Sequence, residues 1–285
     1  MNLAIELDVN HLFFWDPFLF EGTPFEMNRV SALMLFGSFM CIAFFFMASR
    51  KQSIIPKGLQ NVGESAYLFV RNNIAVDVIG PEGVRYAPYL CSLFFFIFFM
   101  NLMEIIPGIN FPVTSRMAIP VILALLTYVI FNVIGFAKQG FHYVTGTLFP
   151  PGVPKPIYIL LTPIEFFSVF LIRPMTLAIR LLANMMAGHV LLTIFFLFTH
   201  EFLVTDFKLA TAPLGIVTFV VASGLIVFEL LVISIQAYIF TMLTAFYIAE
   251  SIHGHGDEAH GHEDTHAEPV REYEGIEEAK RAAAA

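Results

Sequence analysis

The sequence predicts an all-α membrane protein with about five membrane-embedded helices and an amphipathic helix on the cytoplasmic surface. Two long, strongly tilted antiparallel helices are expected near the C-terminus. Three observations carry this expectation. Of 285 residues, 58% are hydrophobic and only 13% charged, with mean hydropathy +0.76, which excludes an ordinary soluble domain. Apolar runs long enough to span a bilayer recur along the chain. The charge is also segregated: residues 250–285 hold ten acids and three bases, −7 of the formal −8, so the body is nearly neutral. The 33 Phe suit a lipid-facing surface.

Residues 1–29 form an external N-terminal segment. Its start is acidic (Glu6, Asp8, Asp16) and lacks the basic n-region and A-x-A-like site of a cleaved signal peptide. The membrane domain is expected over 30–249. It opens with the charge-free run 30–48, long enough to cross a ~30 Å core at ~1.5 Å per residue. Residues 57–79 are mixed: Leu59, Val62, Ala66, Phe69 and Val76 recur near helical spacing, with Gln60, Asn61, Glu64, Arg71 and Asn72 between them. That pattern suits a helix lying at the membrane surface, ended by Gly80-Pro81-Glu82-Gly83. Spans follow at about 86–106 and 117–137, separated by a loop with Pro107, Gly108 and Pro112. A Gly/Pro-rich connector comes after Lys138.

Two runs remain, about 157–200 and 211–249. As single helices each would be roughly 60 Å long, about twice what an upright crossing needs. Strong tilt, or a kink at Pro163 or Pro174, resolves the excess. Basic residues orient the chain: Arg50, Lys51, Lys57, Arg71, Arg85, Lys138, Lys155, Arg271, Lys280 and Arg281 fall on one side, Arg29, Arg116 and Lys208 on the other. The positive-inside rule then puts the N-terminus outside and the acidic, His-rich tail 250–285 in the cytoplasm. Cys41 and Cys91 lie within apolar runs and read as small buried residues, not a disulfide.

Few polar residues interrupt the apolar segments, and Arg180 is the most exceptional of them. A guanidinium in hydrocarbon costs at least ~2.5–3.5 kcal/mol. It cannot shed its proton, because its pKa exceeds ~12. Such a residue needs a function and a partner. Asn184 lies one turn beyond it on the same face, whereas His189, nine residues on, is turned to the opposite face. Glu229 and Gln236, seven apart, share a face of the last helix. If the long helices are antiparallel, one register brings Arg180 level with Gln236 and His189 level with Glu229. The His189/Glu229 pair has two readings, a proton relay or a static ion pair pinning two helices. Arg173 shares the Arg180 face, so periodicity does not select the functional arginine; Arg173 precedes Pro174 and also fits a snorkelling role. Glu104 and Glu165, near segment ends, are either vestibule carboxylates or hydrated interfacial acids.

The tail sequence His253-Gly254-His255-Gly256-Asp257-Glu258-Ala259-His260-Gly261-His262 could bind divalent ions weakly. It lacks Cys and helix-fixed His spacing, so a solvated tail is expected, with no metal site. Phosphate-loop, dinucleotide, zinc-protease and nucleophile-elbow motifs are missing, and neither a cofactor nor catalysis by the chain alone is expected.

The run Arg180-Leu181-Leu182-Ala183-Asn184-Met185-Met186-Ala187-Gly188-His189 closely resembles the signature of subunit a of bacterial F-type ATP synthases. Asn101-Leu102-Met103-Glu104-Ile105-Ile106-Pro107, Pro163-Ile164-Glu165-Phe166-Phe167-Ser168 with Arg173-Pro174, and Glu229 through Gln236-Ala237-Tyr238-Ile239-Phe240 fit the same family, over about residues 25–250. The resemblance selects Arg180, which is followed by Asn-x-x-x-Gly. It implies a proton-translocating stator subunit in the cell membrane, facing a ring of small two-helix c subunits and held with peripheral-stalk b subunits and the rest of the synthase. No nucleic acid partner is implied. Arg180 would switch the ring carboxylate and block leakage between two offset half-channels. The outer would pass Asn101, Glu104, Asn184, His189, Glu229 and Gln236, and the cytoplasmic one would pass near Glu165. The sequence departs from some relatives by carrying His at the 189 position and Glu at the 229 position. Two other classes fit the sequence less well. A self-contained cation-coupled secondary transporter would usually show internal repeats. A haem-bearing redox enzyme needs paired His ligands at one depth, and only His189 lies deep in a segment.

Overall fold

A computed structural model describes residues 28–50, 57–106, 108–148, 157–205 and 211–253. The expected external segment up to residue 27 and the His-rich tail beyond residue 253 lie outside the described residues.

Asn28 caps the first helix, α1 (Arg29–Ser49), accepting from the Ser31 amide at 3.0 Å while Ser31 Oγ accepts from the Asn28 amide at 3.0 Å. Such reciprocal capping is worth about 1 kcal/mol. The helix α2 (Leu59–Val70) continues through a π-helical turn (Arg71–Val76) and a short turn (Asp77–Ile79). Gly80, at φ +85, stops it. There follow α3 (Ala87–Leu102), α4 (Ala118–Gln139) and α5 (Phe141–Leu148). The stretch after Lys138, expected as connector, thus begins with a helix; Gly140, at φ +59, ends α4 and lets the chain turn into it.

The long first run is composite. The helix α6 (Tyr158–Phe167) passes through a π turn (Ser168–Ile172) into α7 (Arg173–His200), and a second π turn (Glu201–Thr205) follows. The irregularity lies just before Pro174, whose missing N–H and ring disfavour a regular helix there. The last helix, α8 (Ala212–His253), is 42 residues long. By length and apolarity Arg29–Ser49, Ala118–Gln139, Leu160–Thr205 and Ala212–His253 can each cross a membrane, and α3 is apolar but shorter. The chain is an all-α, multi-pass membrane protein.

These helices leave large apolar side chains outside: Phe39, Ile42, Phe46, Ile122, Val227 and Phe228 are all exposed. In water that surface would aggregate, whereas in lipid it is the expected exterior. The interior is organised by α8, which packs against α7, α3 and α4, while α1 packs on α2 and α3. Its core includes Ile97, Met100, Met103, Leu181, Met185, Ile233 and Phe240, all at or near zero exposure. Phenylalanines join α1 to α3 edge-to-face, as in Phe45–Phe95 with ring centroids 5.0 Å apart. Close helix approach needs small residues: a Cβ on Gly63 would sit 2.6 Å from Ala48 Cβ, where α2 meets α1.

Outside the apolar bundle, Lys138 Nζ donates to Glu82 at 2.7 Å, linking the end of α4 to the turn before α3. The same lysine holds the Glu82 carboxyl below its ordinary range. Both groups are well exposed, so the pair adds little stability.

Candidate functional site

Contacts between α7 and α8 run in opposite order along the two helices. Arg173 meets Glu250, Asn184 meets Gln236, Gly188 meets Glu229 and Thr199 meets Thr218. The pair is therefore antiparallel, close to the register the sequence suggested. The individual partners differ, however. Asn184 Nδ2, not Arg180, reaches Gln236 Oε1, at 2.7 Å. The same register sets Arg180 opposite the fully buried, apolar Phe240. Burying a guanidinium against Phe240 would cost far more than leaving it at the surface. Arg180 is accordingly exposed, and among the described residues it has no hydrogen bond or ion pair. Ile179, Ala183, Asn184, Ala187 and Leu191 are exposed beside it, so Arg180 stands as an exposed cation in a largely apolar strip of α7.

On the side of increasing residue number along α7, three proton-exchanging groups are buried together. His189 is 6% exposed, Glu104 3% and Glu229 4%. His189 Nδ1 lies 3.7 Å from Glu104 Oε1, and the Glu104 and Glu229 carboxyls are neighbours. The sequence had suggested a direct pairing of His189 with Glu229. Instead Glu104 bridges them, because the segment after α3 folds back into the bundle rather than staying at the surface. Met103, Phe111, Val113, Thr114 and Ser115 are all buried there, with turns at Gly108 (φ +91) and Asn110 (φ +41).

Glu229 fits because residue 188 is glycine. A Cβ at Gly188 would lie 2.4 Å from Glu229 Oε1 and 2.5 Å from Oε2. Phe111 packs edge-on against the His189 ring at 5.7 Å. Asn101 is fully buried, and its carbonyl oxygen accepts from the Thr114 hydroxyl. Asn101 Nδ2, both Glu104 oxygens, Glu229 Oε1 and Gln236 Nε2 have no hydrogen bond within the described residues. Beyond His189 opens a cavity of about 560 Å³, lined in part by Arg29, Glu104, Asn110, Thr193 and His200. Arg29 Nη2 donates to the Ile109 carbonyl at 2.6 Å, tying the start of α1 to the cavity rim.

On the other side of Arg180, Arg173 grips Glu250 with its two terminal guanidinium nitrogens; Nη2 to Oε1 is 2.8 Å. Its guanidinium also lies over the Tyr247 ring, 5.3 Å from the centroid. The carboxyl of Glu165, half-buried on α6, has no hydrogen bond or ion pair within the described residues. The structure thus brings His189, Glu104 and Glu229 into one buried cluster, pairs the exposed Asn184 with the buried Gln236 and the buried Asn101 with Thr114, and leaves Arg180 and Glu165 apart from these groups. Sequence reasoning had missed Thr114, Gly188 and Glu250 as partners. Gly188 stands within the Arg180–His189 signature, but Thr114 and Glu250 carry no local signal, since only the fold brings them to Asn101 and Arg173.

The groups His, Cys, Asp and Glu form no metal-binding cluster among the described residues. What the arrangement offers chemically is a buried cluster of titratable groups at a cavity, with an amide pair, Asn184 and Gln236, nearer the cation-bearing helix face.

Comparison with known proteins agrees. The profile of the family described as "ATP synthase A chain" matches residues 31–249. The chain is 42% identical over 243 residues to an ATP synthase subunit a of Rhodococcus erythropolis, covering 85% of this chain and 88% of that one. It is 43% identical over 258 residues to one of a Parafrankia species, covering 88% and 85%. It is 37% identical over 254 residues to one of Hyphomonas neptunium, covering 88% and 98%. By sequence, with a multi-pass helical fold to match, this chain belongs to the ATP synthase A chain family.

Proposed function

We propose that this chain is the proton-translocating stator subunit of an F-type ATP synthase, which conducts protons past a ring of small two-helix subunits and is not itself catalytic. The observation that carries the reading is Arg180. It is an exposed guanidinium on an apolar helix face, with a buried proton-exchanging cluster on one side and a separate polar cluster on the other.

The cavity at Arg29, Asn110 and His200 is the outer entrance, and the N-terminus is outside. Buried polar atoms without protein partners are the natural hosts for water. Water there would connect His189, Glu104 and Glu229 to Gln236, Asn184 and the ring. A ring carboxyl that takes up this proton becomes neutral and can rotate through lipid, where the ionised form is too costly. On reaching Arg180 the returning carboxyl ionises, because a fixed positive charge nearby favours its charged form. Its proton leaves by the cytoplasmic half-channel, with Glu165 beside the path. Arg180, permanently charged, also bars direct proton flow between the two half-channels.

Each proton drawn through is worth about 2.3 kcal/mol per 100 mV, which the ring's rotation delivers to the rest of the complex. The lengths of 160–205 and 212–253, about twice a bilayer crossing, suit two inclined helices that follow the ring's curved surface. Peripheral-stalk subunits hold the chain against the turning ring.

The direct test is purification of the tagged chain from native membranes in mild detergent. An oligomeric ring of small two-helix subunits is expected to copurify. A chain that is isolated alone, yet transports cations in liposomes, would establish the secondary-transporter reading instead.

A further inference from the structure

The Arg173–Glu250 pair is a partly buried charge cluster that the proposed proton path does not use. It is a built site. The side chains are 18% and 13% exposed, Nη1 and Nη2 of the guanidinium are both engaged, and the Tyr247 ring closes one face. The Tyr143 ring lies against Gly135, where a Cβ would meet it at 2.6 Å, and its phenol and Arg173 are within electrostatic reach. Tyr143 from α5, with Tyr247 and Glu250 from α8, are the titratable groups that act on Arg173. Arg180 lies two turns along on the same helix.

Arg173 and Arg180 are seven residues apart, so they project from nearly the same face of α7, about 10 Å apart along its axis. An F-type stator needs one fixed cation opposite the passing carboxylate. A second free guanidinium on that face would compete for it. Given the ring-facing role proposed for Arg180, we propose that Glu250 is a positioning residue for ion translocation. It holds the Arg173 guanidinium off the ring-facing surface and neutralises it, so that a ring carboxyl on the cytoplasmic side of Arg180 can take up a proton from water.

The structure accounts for how the pair is made. The π turn Ser168–Ile172 widens the chain just before Arg173, and such single-turn insertions re-aim the side chains that follow. Gln139 Nε2 donates to the carbonyls of Ser251 and Ile252 at 3.0 and 3.2 Å, fixing the end of α8 that carries Glu250. Both partners are therefore set by backbone held elsewhere.

With Glu250 unable to hold a charge, Arg173 becomes a free cation beside the cytoplasmic half-channel. It would keep the ring carboxylate ionised and oppose its protonation from that side. ATP-driven pumping, which begins with that protonation, then needs a more acid cytoplasmic medium.

The test uses inverted vesicles carrying the whole complex, with pumping normalised to assembled enzyme and followed against the pH of the ATP-containing medium. Glu250→Gln is expected to slow pumping at least about threefold at neutral pH and to move its half-maximal point about one unit acid. Adding Arg173→Gln should return both to within about twofold and a few tenths of a unit of wild type. If Glu250→Gln accumulates poorly, Glu250→Asp gives the same acid shift on a smaller scale. An unchanged profile in Glu250→Gln or Glu250→Asp, or a double variant no better than Glu250→Gln, overturns the proposal. Arg180→Ala run in the same vesicles separates the two levels. Pumping that survives Arg180→Ala defeats the stator reading itself, whereas pumping lost there but normal in Glu250→Gln defeats only the role of Glu250.

Discussion

Replacing Arg180 with lysine is expected to lower ATP-driven proton pumping roughly tenfold to a thousandfold while leaving the complex assembled. The range follows from what a fixed cation does to a carboxyl within ~4–6 Å, a shift of one to three pKa units, or about 1.4–4 kcal/mol. Arginine keeps its charge in a low-dielectric setting and presents a planar fork of donors to a carboxylate. Lysine shifts its pKa readily when desolvated and can lose the charge on which the switch depends. Assembly should be spared because the Arg180 side chain is exposed and bonds to nothing else within the described residues. Fluorescence-quench pumping assays on inverted vesicles, normalised to assembled complex, read the effect. Wild-type pumping in the lysine variant would remove Arg180 from the mechanism.

Glu229→Ala is expected to slow proton entry from the outer side by about tenfold to a hundredfold, without loss of ring association. Positioned proton-transfer groups typically contribute 10²–10⁴-fold, and here Glu104 and His189 remain as a partial path. Gly188→Ala provides the structural counterpart. Its Cβ, 2.4 Å from Glu229 Oε1, must displace the carboxyl from its place beside Glu104, so it should reproduce much of the defect with every titratable group still present. Passive proton uptake through ring-containing membranes is the measurement. If Glu229→Ala complexes lose the ring, and the remainder conduct normally, the carboxyl is a structural element and not part of the path.

How much of this was legible in the sequence depends on the distance over which each feature is set. Helices at 29–49, 118–139 and 212–253 follow from continuous apolar runs, because the bilayer demands internally satisfied backbone and the chain has no other way to cross. Antiparallel pairing of the long helices followed from two long apolar runs with a short connection between them, and the approximate register from the spacing of four polar residues. The partners within that register did not. Predicting Asn184 with Gln236, in place of Arg180, requires knowing that Phe240 fills the level opposite Arg180.

Glu104 was placed near a segment end, but nothing local announces that residues 111–115 fold back into the bundle. Their burial is decided by the space left between α3, α4 and α7. Gly188 looked like part of a signature, and its physical reason, room for a carboxyl, exists only once α8 is in place. Arg173 and Arg180 were equivalent by periodicity. The fold distinguishes them by giving one an anion from α8 and leaving the other exposed.

The central claim is that the exposed Arg180 face of α7 looks onto a ring of small subunits. It is tested most directly by cross-linking in native membranes. Ala183→Cys, exposed and one turn from Arg180, is paired with single cysteines along the outer helix of the ring subunit near its carboxylate. Oxidation is expected to join the two chains at that depth, with Ile42→Cys on α1, also exposed, joining none of them. A ring that copurifies but cross-links through Ile42→Cys, and never through Ala183→Cys, would place it against the wrong face and contradict the account.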